Sequence, residues 1–185
     1  MIKKYLCIPI VFLILSFSGC GEKESDFKTY SNKVVEFTYP TSWQVIDPQK
    51  IDLQPKPEVL IQASLVDEGF VANINLTIQT APMLAPSAKD QAEQNVELMK
   101  IMGKTYGIKD YKQINFSPVK IGNIEAGILT SEFTISQNNI NVKNNQLIVP
   151  RGQKTYILTM TSKKEKWETY EPIFKNTVSS FKLLE

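Results

Sequence analysis

The chain has 185 residues, 42% of them hydrophobic, with 21 basic and 19 acidic side chains, two cysteines and no histidine. A formal charge of only +2, with both signs dispersed along the chain, offers no basic stripe to a phosphate backbone, so nucleic acid is not expected as a partner. The missing histidine removes Ser-His-Asp and Cys-His nucleophiles and zinc-histidine centres.

Met1-Ile2-Lys3-Lys4 opens the chain, and an apolar run over residues 5–17 follows it. The run falls short of the roughly 20 residues a membrane span needs, and Pro9 disfavours a straight permanent helix. Two lysines, a short apolar core and the small residues Ser18 and Gly19 are the parts of a secretory signal. Phe17-Ser18-Gly19-Cys20 resembles the lipobox of bacterial lipoproteins, with Phe17 where leucine is commoner. The resemblance implies cleavage before Cys20 and lipid on that cysteine; an uncleaved anchor or an ordinary signal is the alternative. Cys7 then leaves with the signal and Cys20 is used by the lipid, so no disulfide supports the domain, which relies on core burial alone. Loss of Lys3 and Lys4 also leaves 19 basic residues against 19 acidic ones. Residues 1–19 are read as a lipoprotein signal peptide, residues 20–29 as a lipidated tether, and residues 30–185 as a single domain.

Alternation at period two marks the first strands. Val35, Phe37 and Tyr39 form one apolar face, Val59, Ile61, Ala63 and Leu65 a second, and Ile74, Leu76 and Ile78 a third. Pro48, Pro55 and Pro57 place a loop or edge between the first two runs. Ser87 is a cap with Asp90 in the first turn, and Ala92, Val96, Met99 and Met102 recur at helical spacing until Gly103 or Gly107. Four more strands are expected, over residues 111–119, 124–135, 140–149 and 155–161. The apolar parity of the second of these slips from Ile124, Ala126 and Ile128 to Phe133 and Ile135, which predicts a bulge near Thr130. Ser162 and Glu165 have the spacing of a capping box. Trp167, Tyr170, Phe174, Val178 and Phe181 then make an apolar helical stripe, interrupted by Pro172, which should kink or divide the helix. Antiparallel strands with two helices give an α+β fold.

Chemistry-bearing patterns are sparse. The acids Asp47, Asp52, Asp67, Glu68, Asp90 and Asp110 fall mainly in loops or at element ends, with no calcium loop and no glycine-rich phosphate loop. No catalytic set, metal site or cofactor is expected. Asp67-Glu68-Gly69 reads as a solvated turn. Lys163, Lys164 and Lys166 could touch anionic lipid, although a solvated first helical turn is the plainer reading. Met83, Met99 and Met102 read as core fillers. Trp43 and Trp167 read as core residues rather than carbohydrate platforms.

One segment carries a family likeness. Residues 30–45, with Tyr39-Pro40-Thr41-Ser42-Trp43 at their centre, resemble the opening of the PsbP-like superfamily, including DcrB-related bacterial lipoproteins. Lys154-Thr155-Tyr156-Ile157-Leu158-Thr159-Met160-Thr161 and the closing helix agree with it. The resemblance implies an α/β/α sandwich, a mostly antiparallel sheet flanked by helices, and no enzymatic site. The metal-linked histidines of photosystem members have no counterpart here. The expectation is a non-catalytic envelope protein, held at the membrane by lipid on Cys20 and facing outside the cytoplasm. It would bind or help assemble another envelope component, with a protein partner. Gly21 after the cysteine favours the outer membrane in a cell that has one. The alternative is a small-ligand binder with a pocket between the sheet and the helix of residues 88–102.

Overall fold

The structure, a computed structural model, describes residues 26–50, 56–105 and 107–184. Cys20, the signal segment, Asp52 and Pro55 lie outside the described residues. Ten strands and two helices follow in the order β1 (Phe27–Ser31), β2 (Val35–Pro40), β3 (Gln44–Ile46), β4 (Val59–Gln62), β5 (Asn73–Thr80), α1 (Ala88–Met102), β6 (Ile108–Ile121), β7 (Ile124–Ile135), β8 (Ile140–Arg151), β9 (Lys154–Lys163), α2 (Trp167–Ser180) and β10 (Lys182–Leu183). The short β10 has no apolar run to announce it. Phe27, Lys28 and Thr29, read above as tether, are paired in β1 with Pro40, Tyr39 and Thr38.

A small sheet has the order β1-β2-β10, and a large one the order β3-β4-β5-β9-β8-β7-β6, with antiparallel pairing throughout. The large sheet has two differently loaded faces. Ile74 and Leu76 of β5, Leu147 and Val149 of β8, and Tyr156, Leu158 and Met160 of β9 point into the main core. Phe37 of β2 and Trp167, Phe174 and Phe181 from the α2 stripe fill it from the other side. The opposite face carries α1, whose Ala88, Ala92 and Val96 pack with Leu129 and Ile148.

These two faces explain the parity slip in β7. Ala126 and Ile128 face the main core, while Leu129 belongs to the cluster beneath α1. Pairing of β7 with β8 runs without interruption from Gly127 to Ile135. The expected bulge is therefore not in β7. It lies across the ladder in β6, where register shifts fall between Lys109 and Lys112 and between Gln113 and Asn115. β6 is also the edge strand, which is why it tolerates Pro118.

Three local expectations are corrected. Ser162 is not a cap: it is fully buried within β9, paired with Lys143 of β8. Ladder pairing prevails over the local capping option, and a 3-10 turn over Lys164–Lys166 leads into α2, whose first turn has no side-chain cap. Pro172 does not divide α2, because Pro172 and Glu168, whose carbonyl loses its donor, are both exposed. Leu65 and Met83 are not core residues; they are 77% and 76% exposed, in loops, and Met99 and Met102 of α1 are only half-buried, outside both core clusters.

The Pro40–Trp43 turn ties the small sheet to α2. The Trp43 N–H donates to the Pro40 carbonyl at 3.0 Å, and the buried indole meets Tyr170 edge-on at 5.9 Å. Tyr170 stacks on Phe174, which also touches Trp167 at 5.4 Å. Thr177 and Ser180 add hydrogen bonds from α2 to Thr38 of β2. Phe174→Ala should destabilise the fold by about 3–5 kcal/mol, the usual range for emptying a fully buried aromatic site. Urea unfolding measures this, and a loss under about 1 kcal/mol would contradict the central place given to this ring.

Candidate binding cleft

Beyond the edge of α1 the outer face of the large sheet is polar. The side of β5 opposite Ile74 and Leu76 carries Asn75, Thr77 and Gln79, and α1 packs mainly against β6, β7 and β8. A cleft of about 260 Å³ opens there between helix and sheet, where the sequence placed a pocket. Its floor is made by Asn75, Thr77, Asn144, Gln146, Thr159 and the apolar Ile157, with Gln79 at the rim, and its helix wall by Asn95, Leu98 and Met99. Ile108, Tyr111 and Phe133 close the far end. No lining side chain is charged.

The β6 bulge sets that far end. Asp110 has φ of 55°, a left-handed conformation that aspartate tolerates better than most residues. Asp110 and Tyr111 together stand opposite the single residue Phe133, the arrangement by which a bulge re-aims a side chain. Tyr111 thereby stacks on Phe133, with ring centroids 6.2 Å apart and planes 21° apart. Its hydroxyl is 2.7 Å from the Ser131 Oγ. Burial raises the pKa of the phenol, against opposing pulls from that hydrogen bond and from Lys100.

Hydrogen bonding across the cleft is loose. Gln91 Nε2 donates to Asn95 Oδ1 at 3.0 Å within α1. From there Asn95 Nδ2 reaches Gln146 Oε1, and Gln146 Nε2 reaches Thr159 Oγ1, both at 3.5 Å. Bonds of that length are weak and readily exchanged for better ones. Asn144 is only 8% exposed, and its Oδ1 is buried with no hydrogen-bond partner. A buried acceptor left unmatched costs about 1–3 kcal/mol, so Asn144 is the residue here that a purely structural role explains least.

Residues singled out in the sequence gather elsewhere. Lys163, 5% exposed, places its Nζ 2.7 Å from Glu68, 3.5 Å from Asp67 and 3.6 Å from Glu165. The Asp67–Gly69 turn is thus an ion-paired turn, held by the left-handed Glu68 and Gly69. Lys164 pairs with Glu132 at 2.7 Å. Lys163 is consequently not part of a solvated turn, whereas Lys164 and Lys166 do lie exposed on the 3-10 turn that leads into α2. A wider cleft of about 800 Å³ beside them is lined by Glu68, Lys163, Lys164 and Glu165, by Asn138, Asn139, Ile140 and Asn141, and by Glu168. Of the other acids, Asp90 accepts from Ser87 Oγ and Asp47 accepts from the Gln49 N–H. Trp43 and Trp167 are core residues, as read, and Lys143 lies over the Trp167 ring at 4.8 Å.

No family model matches the chain, and no curated protein sequence is detectably similar to it. Comparison of the folds does find relatives. Cyanobacterial PsbP from Synechocystis sp. PCC 6803 superposes with a TM-score of 0.65 over 90% of this chain and 98% of its own, at 16% identity. The fold is PsbP-like. LpqN of Mycobacterium tuberculosis, described as involved in cell envelope biogenesis, matches at TM-score 0.54 and 11% identity, over 80% of this chain and 82% of its own. A Pseudomonas aeruginosa protein of unknown function matches at 0.53 and 13%, over 83% and 94%. At these identities the PsbP-like likeness is one of fold, and it stops short of the DcrB-related subgroup.

The ion-paired lysine gives a pH signature. Its hydrogen bond to Glu68 raises the Lys163 pKa above the ordinary 10.5, with Asp67 and Glu68 charges adding to the shift and burial opposing it. A raised pKa means the stabilisation is complete below the ordinary value and is lost as pH climbs through the folded-state one. Lys163→Met should therefore lower the melting temperature by an amount that holds from neutral pH to 10.5 and shrinks above it. Melting curves across that range check this, and a difference already gone near neutral pH would refute it.

Proposed function

We propose that this is a non-catalytic lipoprotein, anchored through Cys20 outside the cytoplasm, that binds another envelope component in the cleft between α1 and the large sheet. The observation that carries the reading is the uncharged cleft with the unpartnered Asn144 Oδ1 in its floor. Pockets for small molecules are mostly apolar with a few polar groups that fix orientation, and the Leu98, Met99, Ile108 and Phe133 walls over a carboxamide floor fit that description.

The signal-like N-terminus supports the anchor, and the envelope role described for LpqN supports the setting. Asp26 already accepts a hydrogen bond from Thr41 of the folded unit. Six residue steps separate it from Cys20, at most about 22 Å of extended chain. The domain would therefore work close to the membrane surface, on the outer membrane in a cell that has two. Among the described residues no group of three or more acids, cysteines or histidines is placed to hold a metal, and binding rather than turnover is the activity to seek.

Native mass spectrometry of the full-length protein, purified from its own host in a detergent without a sugar headgroup, should show a bound small molecule released by mild activation. A clean ligand-free mass would count against the reading. Cys20→Ser should abolish acyl labelling and leave the melting transition of the folded unit unchanged, since no disulfide is lost. A mutant that still carries lipid would overturn the anchor.

A further inference from the structure

The chemistry of the cleft narrows the ligand. We propose that it is an uncharged carbohydrate, with one sugar ring against Tyr111 and Phe133 and its hydroxyls on the carboxamide and hydroxyl floor. This inference rests on the reading of the cleft as a binding site.

Three features select that chemistry. First, no lysine, arginine, aspartate or glutamate lines the cleft. A charged ligand would lose its hydration with no counter-charge to replace it, a penalty of several kcal/mol. Phosphates, free carboxylates and ammonium groups are thereby disfavoured.

Second, the floor offers donors and acceptors side by side. Each carboxamide of Asn75, Asn144 and Gln146 presents an acceptor oxygen and a two-hydrogen donor, and Thr77 and Thr159 add hydroxyls that can serve as either. A hydroxyl is likewise donor and acceptor at once, so vicinal hydroxyls can satisfy a carboxamide through both of its ends. Asn144 Oδ1 has no protein partner and is closed to solvent, so it accepts from a ligand only when its carboxamide turns toward the cleft, and the 3.5 Å contacts of Gln146 are long enough to yield to stronger ones. Ile157 is the apolar member of this floor, and a hydrocarbon chain would leave the carboxamides and hydroxyls around it unsatisfied.

Third, the far wall is aromatic. Tyr111 and Phe133 are stacked, flanked by Ile108 and Met99, a surface suited to the C–H face of a pyranose. The volume of about 260 Å³ is just under the usual small-molecule range of about 300–1,000 Å³, which suits one or two rings and leaves a longer glycan to continue outside. Trp43 and Trp167 take no part, being committed to the core.

Isothermal titration calorimetry of the full-length protein, in a detergent without sugar, tests this. The probes are glucose, N-acetylglucosamine and their β-1,4-linked disaccharides, set against glucuronic acid, glucosamine and N-acetyl-alanyl-alanine amide. At least one neutral disaccharide should bind, and the charged sugars should bind at least about tenfold more weakly or not at all. Asn144→Leu should weaken that binding about tenfold or more while leaving the melting temperature unchanged or higher, because it removes a buried acceptor that has no partner. Gln79→Ala, on the exposed rim where folding is not at stake, should weaken it less. A preference for the dipeptide amide or a charged sugar would overturn the carbohydrate while sparing the binding site. So would sugar binding that survives Asn144→Leu, or an Asn144→Leu protein that melts several degrees lower. Failure of every probe, with no small molecule in the native mass spectrum, would remove both.

Discussion

The burial of the α2 aromatic stripe is the interaction on which the rest of this structure depends. Trp167, Tyr170 and Phe174 form one continuous set of ring contacts, and Trp43 extends it to the turn after β2. The set joins the small sheet, α2 and the inner face of the large sheet into one core. Burying each large apolar side chain contributes roughly 1.5–3 kcal/mol, and a chain without a disulfide among its described residues has no covalent substitute for that contribution. With α2 committed to the inner face, α1 is the one helix among the described residues left for the outer face. Packed mainly against β6, β7 and β8, α1 leaves Asn75, Thr77 and Thr159 on the outer sides of β5 and β9 only partly covered. The cleft is thus a consequence of laying that one helix over part of a seven-stranded sheet.

The same geometry separates what was legible in the sequence from what was not. Alternation in β2 and β5 and the helical spacing of α1 and α2 are local patterns, and they read correctly because one face of each element is buried in the main core or beneath α1. The residues of β7 misled because that strand is apolar on both faces, so its change of parity looked like an inserted residue. Ser162 misled for a related reason. A capping box is a local signal, whereas pairing with Lys143 is made across a hairpin and cannot be seen at three-residue spacing. Leu65 and Met83 show the converse, since apolar residues in loops obey no period and are often exposed.

The candidate site was legible in position but not in composition. The pocket between helix and sheet could be anticipated from the element order, yet its chemical character comes from residues with no motif: Asn75, Asn144, Gln146 and Thr159 are each an ordinary strand residue on the polar face. The alternation of Asn73, Asn75 and Thr77 with Ile74, Leu76 and Ile78 was the available signal. It reads as solvation until α1 is laid beside it. Tyr111 gave less warning still, because its placement depends on a bulge and on a left-handed Asp110, neither of which a single sequence marks.

The two polar regions of the molecule therefore differ in kind. Around Lys163 three carboxylates meet one ammonium, so the lysine is fully paired and the region holds loop, strand and helix start together. Around Asn144 the groups are neutral, weakly paired and in one case unpaired. Satisfied buried polar groups rigidify a fold, whereas unsatisfied ones reduce its stability and persist where something else uses them. Leucine has the branching of Asn144 and no acceptor to leave unmatched. That asparagine stands there instead, on a floor of further carboxamides and beneath a stacked aromatic wall, is the physical reason to look for a ligand in this cleft rather than among the charges.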